Sequence, residues 1–165
     1  MNSRELETIL DNACADGADY VDSCTDYRTA WDGCDRGDWM IWVADYADVD
    51  RRKLASAVHE CVNTVSHLML CQSSIDALQG LRRYADGDIE EGELELLGEA
   101  AWDDPRIMRI MRASDRAAAD AAIMSFGDAL LGAAQAAEGS VTDALSIFAD
   151  IIRAHISFND LQINC

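Results

Sequence analysis

Residues 50–70, DRRKLASAVHECVNTVSHLML, carry apolar side chains at Leu54, Val58, Cys61, Val62, Val65, Leu68 and Met69. These intervals of three and four are the period of one helix face, with charged and polar residues between them. Asp48 or Asp50 stands where an N-cap belongs, so one long helix to about Leu70 is predicted. The same period extends in both directions. Upstream, Trp39, Trp42, Val43 and Tyr46 fall at i, i+3, i+4 and i+7 behind Asp38, a candidate cap. Downstream, Ser73 or Ser74 opens a segment with Ile75, Leu78, Leu81 and Tyr84 facing inward, closed by Asp86-Gly87. Asp88 and Glu91 have capping-box spacing ahead of Leu94, Leu97 and Ala101.

The ends of the chain fit this reading. Asn2 or Ser3 can cap a first helix with Leu6, Ile9 and Leu10 on one side and Gly17 at its end. Residues 18–34 are less regular and read as short helical pieces. Asp104-Pro105 is a start signal, because proline is tolerated at the first helical position. Ile107, Met108, Ile110 and Met111 then lead into an Ala-rich stretch reaching Glu138-Gly139, read as one long helix. Ser140 and Asp143 open a last helix with Val141, Leu145, Phe148, Ile151, Ile152 and Ile156, before a short extended tail from Asn159. No strand period competes. The expectation is a single all-α domain over residues 1–165, an irregular compact bundle of about seven helices.

Half of the 165 residues are apolar, enough for a sizeable core and too many for a disordered acidic chain. No apolar run approaches the roughly 18 residues of a membrane span. No basic-then-apolar leader is evident, so a cytoplasmic protein is expected. The six cysteines, Cys14, Cys24, Cys34, Cys61, Cys71 and Cys165, lack metal-ligand spacing and read as reduced thiols.

The net charge is -18, and it is uneven. Residues 1–50 hold 13 acids against three bases, and residues 86–104 hold nine acids and no base. The remainder is close to neutral. Such a balance opposes direct binding to nucleic acid or to anionic membranes, both of which need basic footprints. It favours a cationic partner. The acids expected to meet it are Asp16, Asp19, Asp22 and Asp26, with Asp86, Asp88, Glu90, Glu91, Glu93 and Glu95. A solvated face that aids solubility is the alternative, as is the acidity of a salt-adapted or GC-rich source.

The most distinctive local signature is AWDGCDRGDWMIW, residues 30–42. Its three tryptophans provide either a core knot at a tight corner or an aromatic anchor at an interface. This segment resembles the pattern A-W-x-x-C-x-R-G-D-W-x-x-W of small helical phage and bacterial proteins described as immunity proteins or left uncharacterised. FADIIRAHI, residues 148–156, resembles their closing helix. The resemblance spans about residues 28–158 and leaves the acidic extension 1–27 outside. It brings no catalytic residues. It implies a phage or mobile-element setting and a role in conflict with a host.

Catalytic sets are thin. His59 and His67, with Glu60 and Cys61 nearby, lack two further metal ligands. His155 reads as helix surface. Asp16-Gly17-Ala18-Asp19 and the acids from Asp86 to Glu91 lack the spacing of a calcium loop. No phosphate loop, nucleophile elbow or dinucleotide fingerprint is present. A non-enzymatic binder without metal or cofactor is therefore expected. The leading reading is an inhibitor that engages a basic surface of a host defence complex, anti-CRISPR-like, by nucleic-acid mimicry. An immunity protein that neutralises a basic toxin such as a nuclease is the second reading. An enzyme of unassigned reaction is the third.

Overall fold

The computed structural model describes residues 15–105 and 112–162. Among them are nine α-helices and no strand. They are α1 (Ala15–Ser23), α2 (Tyr27–Gly33), α3 (Gly37–Tyr46), α4 (Arg51–Asn63), α5 (Gln72–Asp86), α6 (Glu91–Trp102), α7 (Ala113–Ala122), α8 (Phe126–Ala136) and α9 (Val141–His155). Two 3-10 turns, Ser66–Leu68 and Phe158–Leu161, complete the described chain. The protein is all-α. The expected first helix with Leu6, Ile9 and Leu10 lies outside the described residues, as do Ile107, Met108, Ile110, Met111, Cys14 and Cys165.

The expected caps at Asp50 and Ser140 form, and Asp26 provides a further one. Asp26 accepts from the Thr29 amide at 2.7 Å, Asp50 from Lys53 at 3.0 Å and Ser140 from Asp143 at 3.0 Å. Others differ. Asp38 is not a cap but a buried residue of the first turn of α3, held by both prongs of Arg36 at 2.8 and 2.6 Å. The Asp88–Glu91 box does not form, because α6 starts at Glu91 behind Glu90. The helix expected to reach Leu70 stops at Asn63. There the Thr64 hydroxyl donates to the Cys61 carbonyl and the Ser66 hydroxyl to Asn63, giving the backbone an alternative to further helix.

α8 is central and packs against α3, α4, α7 and α9. The core face of α4 is Leu54, Ala55, Ala57, Val58, Cys61 and Val62. Each large aliphatic side chain buried this way contributes about 1.5–3 kcal/mol by leaving water.

Three further expectations are corrected by the structure. The Ala-rich stretch is two helices, because α7 closes at Ile123 with Met124 in the left-handed region at φ 64. The Ser125 amide returns to the Asp120 carbonyl at 2.8 Å and Met124 to Ala121 at 3.2 Å, a Schellman closure. Through Gln162 the tail is not extended. Ser157 and Asp160 form a capping box over the last 3-10 turn, which Lys53 pins through Asp160 at 2.7 Å. Finally, the core face of α3 is Gly37, Met40, Ile41 and Ala44. The expected stripe of Trp39, Trp42, Val43 and Tyr46 faces outward instead, with Tyr46 53% exposed.

The two distinctive segments of the sequence meet in space. A Cβ on Gly37 would stand 2.8 Å from the Phe148 Cβ and 3.0 Å from the Ala149 amide nitrogen, so only glycine lets α3 approach α9 this closely. The Arg153 guanidinium donates to the Cys34 carbonyl and reaches Met40 Sδ at 3.6 Å. Trp31 is buried, whereas Trp39 and Trp42 are half-buried. The signature around Arg36-Gly37-Asp38 is thus a helix-packing signature on one side and an aromatic surface on the other.

Candidate binding surface: an acidic helix face and an aromatic cleft

The ten acids expected at an interface are all at or near the surface, in three different situations. Asp26 is the α2 cap, and the Thr29 amide and hydroxyl hold its carboxyl below the usual value. Four acids are met by arginines, three of them across helices and one, Asp86, within α5. Arg51 pairs with Glu91 at 3.3 Å, Arg52 with Glu90 at 3.1 Å, Arg82 with Asp86 at 2.8 Å and Arg83 with Glu93 at 3.3 Å. Arg52 also donates to the Tyr84 and Ile89 carbonyls and lies 4.7 Å over the Tyr84 ring, which fixes the α5–α6 turn. The remaining five, Asp16, Asp19, Asp22, Asp88 and Glu95, are exposed and have no ion pair among the described residues.

Sequence position found Glu95 but missed its two partners, Glu99 and Asp103. Glu95, Glu99 and Asp103 follow one another at intervals of four along α6 and its end. They therefore line one face over about 12 Å, at 1.5 Å per residue. All three are exposed and none has an ion pair among the described residues. Beside them are Leu96, 66% exposed, and Ile123, 39% exposed, with half-buried Trp102 between the two helices. Gly98 lets this face form. A Cβ there would meet Ile123 Cγ2 at 2.6 Å, so the end of α7 sits directly on α6. The signal that could have found the row is its i, i+4, i+8 spacing.

A cleft of about 680 Å³ opens on the other side of the α7–α8 corner. Its floor is the outer face of α3, with Trp39, Trp42 and Val43. Its walls are Tyr20 and Val21 of α1, Tyr27 of α2, and Met124, Phe126 and Leu131 from the corner and α8. Tyr20 donates to the Ala30 carbonyl at 3.0 Å and packs against Trp39 with ring centroids 6.1 Å apart. Burial, then the nearby Cys34 and Cys24, push its phenol up to about 12, so it stays a neutral donor. The rim is acidic. Asp45 and Asp128 line it and are exposed. Arg36 also lines it, but its guanidinium is committed to Asp38 and lies 4.4 Å over the Trp39 ring.

Asp120 connects the two surfaces electrostatically. Burial and then the Asp128 carboxylate push it up to about 6, partly offset by Arg116 and by the Trp102 indole. The Ser125 hydroxyl donates to Asp128 at 2.7 Å. Ser125-Phe126-Gly127-Asp128 has the spacing of a helix start, and this is the sequence signal for the corner that alanine content obscured.

Histidines and thiols are placed structurally. His59 is partly buried on α4, where burial and then Arg82 lower its value, and His67 is exposed on the 3-10 turn, so they share no helix. His155 meets Glu60 at 2.7 Å. Cys34, Cys61 and Cys71 are buried thiols, and burial raises the Cys61 value strongly. Among the described residues, no three His, Cys, Asp or Glu side chains converge as metal ligands, and no helix is long and apolar enough to cross a membrane. Comparison of the chain with protein families, curated proteins and solved structures gives no match.

Proposed function

We propose that the protein is a non-enzymatic inhibitor that binds a basic protein surface, offering carboxylates where that surface expects phosphates. The observation that carries this reading is the row Glu95, Glu99 and Asp103, exposed and not met by any described arginine. Successive members rise about 6 Å along the helix axis, and Asp16, Asp19 and Asp22 on α1 rise about 4.5 Å. Each DNA strand carries one charge per about 3.4 Å of axis. Leu96, Trp102 and Ile123 supply apolar contact beside the charge, as hot spots require. Asp86, Glu90, Glu91 and Glu93 contribute less, since their fields are partly cancelled by Arg51, Arg52, Arg82 and Arg83.

The resemblance of residues 30–42 and 148–156 to phage and bacterial proteins directs the reading to a host cytoplasm. The target is then the nucleic-acid groove of a defence complex, in an anti-CRISPR-like manner. The same resemblance supports the second reading, an immunity protein against a basic nuclease toxin. Affinity capture from host lysate, followed by binding kinetics on the purified partner, tests the proposal. Association should slow steeply with added salt, because exposed charges are screened beyond about 8 Å at physiological ionic strength. Replacing Glu95, Glu99 and Asp103 by Lys should slow it at least about tenfold and leave the helical circular dichroism unchanged. The bound protein should exclude nucleic acid from its partner. Affinity indifferent to salt and to the triple reversal defeats the proposal.

A further inference from the structure

We propose that the aromatic cleft seats an amphipathic, basic helix of the partner protein, whose apolar side chains enter the cleft while its Lys or Arg residues meet Asp45 and Asp128. This rests on the reading above and adds where the partner is gripped. Three observations carry it. The floor is a helix face with apolar residues at i, i+3 and i+4, namely Trp39, Trp42 and Val43, and Tyr46 continues it one turn beyond the cleft. That spacing is what a second amphipathic helix packs against. The cleft, at about 680 Å³, has room for several apolar side chains.

The third observation is charge. Asp45 and Asp128 are exposed on the rim, and Arg36, the arginine that lines the cleft, is already held by Asp38 and Trp39. An incoming cation therefore meets open carboxylates and aromatic faces, both of which attract it. An anion meets repulsion. A wholly apolar occupant would strip water from Asp45 and Asp128 without replacing it.

The test uses the full chain and two fluorescein-labelled probes of equal charge, a helical leucine–lysine peptide and a serine–lysine peptide, read by anisotropy at physiological salt. The leucine–lysine peptide should bind and shift tryptophan emission, and the serine–lysine peptide should bind at least about tenfold more weakly. Gly127→Leu places a side chain where a Cβ meets nothing within 4 Å, at the lining of the cleft, so the fold is kept and the space is taken. It should weaken the leucine–lysine peptide about tenfold or more. Asp45→Asn with Asp128→Asn should weaken it by a similar factor at low salt. Equal binding of the two peptides, or indifference to Gly127→Leu, overturns the inference and leaves the charge reading standing. Conversely, peptide binding that depends on Gly127 with a natural partner indifferent to Glu95, Glu99 and Asp103 defeats the charge reading alone. Two other occupants would also overturn it. One is the chain's own N-terminal segment, revealed if the wild type does not bind the peptide and the Leu6→Asp, Ile9→Asp variant does. The other is a second copy, revealed by a dimer that Gly127→Leu dissociates.

Discussion

Asp115 caps a helix other than its own. It sits in the first turn of α7 at 1% exposure and accepts from the Leu70 and Cys71 amides at 3.1 and 3.0 Å, just ahead of α5. Asp115→Ala should cost about 2–4 kcal/mol, since it removes a buried carboxylate that accepts from the buried Cys71 amide and the part-buried Leu70 amide. Thermal unfolding should fall by roughly 6–12 °C in a chain of this length. Asp115→Asn keeps one acceptor oxygen and should recover more than half of the loss. Asp120 makes a prediction of opposite sign. Its carboxyl is raised to about 6, so the folded state binds the proton more readily than the unfolded chain does. Its contribution to stability therefore grows as pH falls from above 6 toward the unfolded value of about 3.9. Asp160 acts in reverse. Hydrogen bonds from Lys53 and Ser157 lower it to about 2, and its contribution is present above the unfolded value and lost on further acidification. Melting curves from pH 8 to 3 should peak on the acid side of neutrality. Asp120→Asn should raise the melting temperature at pH 8 by about 2–4 °C, the effect of about 1 kcal/mol, and remove most of the gain between pH 8 and 5.

Among the elements, α3 is the most constrained. Gly37→Ala would force a methyl to within 2.8 Å of Phe148 and 3.0 Å of the α9 backbone. The helices must part, at a cost of about 1–3 kcal/mol. Urea unfolding should show the loss, and circular dichroism should still show a helical chain. The helices themselves were legible in the sequence, because an apolar period of 3.6 and side-chain caps such as Asp50 and Ser140 are local chemistry. Which face of α3 enters the core was not legible. That helix is apolar on both sides, and the choice of Met40, Ile41 and Ala44 over Trp39, Trp42 and Val43 is made by α8 and α9. The corner at Met124 was hidden for another reason. A Schellman closure there uses a methionine in a conformation that glycine adopts more easily, so the usual punctuation is missing. The acidic site was half legible. Density of Asp and Glu marked residues 86–104, but the arginines that meet Glu90, Glu91 and Glu93 come from α4 and α5.

For the whole molecule, a net charge of -18 exaggerates the field at some places and understates it at others. The α4–α5–α6 junction is laced with exposed pairs, each worth about 0–1 kcal/mol. Their loss in high salt should barely move the melting temperature, whereas partner association should slow strongly under the same conditions. Parallel melting and association measurements across a salt series check this separation. The contact between α3 and α9 has one more consequence. Arg153 and Cys34 are 119 positions apart, so α3 emerges from the ribosome long before the helix that completes its core face. At about 5–20 residues per second, that face waits several seconds or more. Closure of so distant a pair is also entropically slow. A nascent chain halted before Val141 therefore lacks the helix that closes on Gly37, and this side of α3 is among the last parts of the core to be covered.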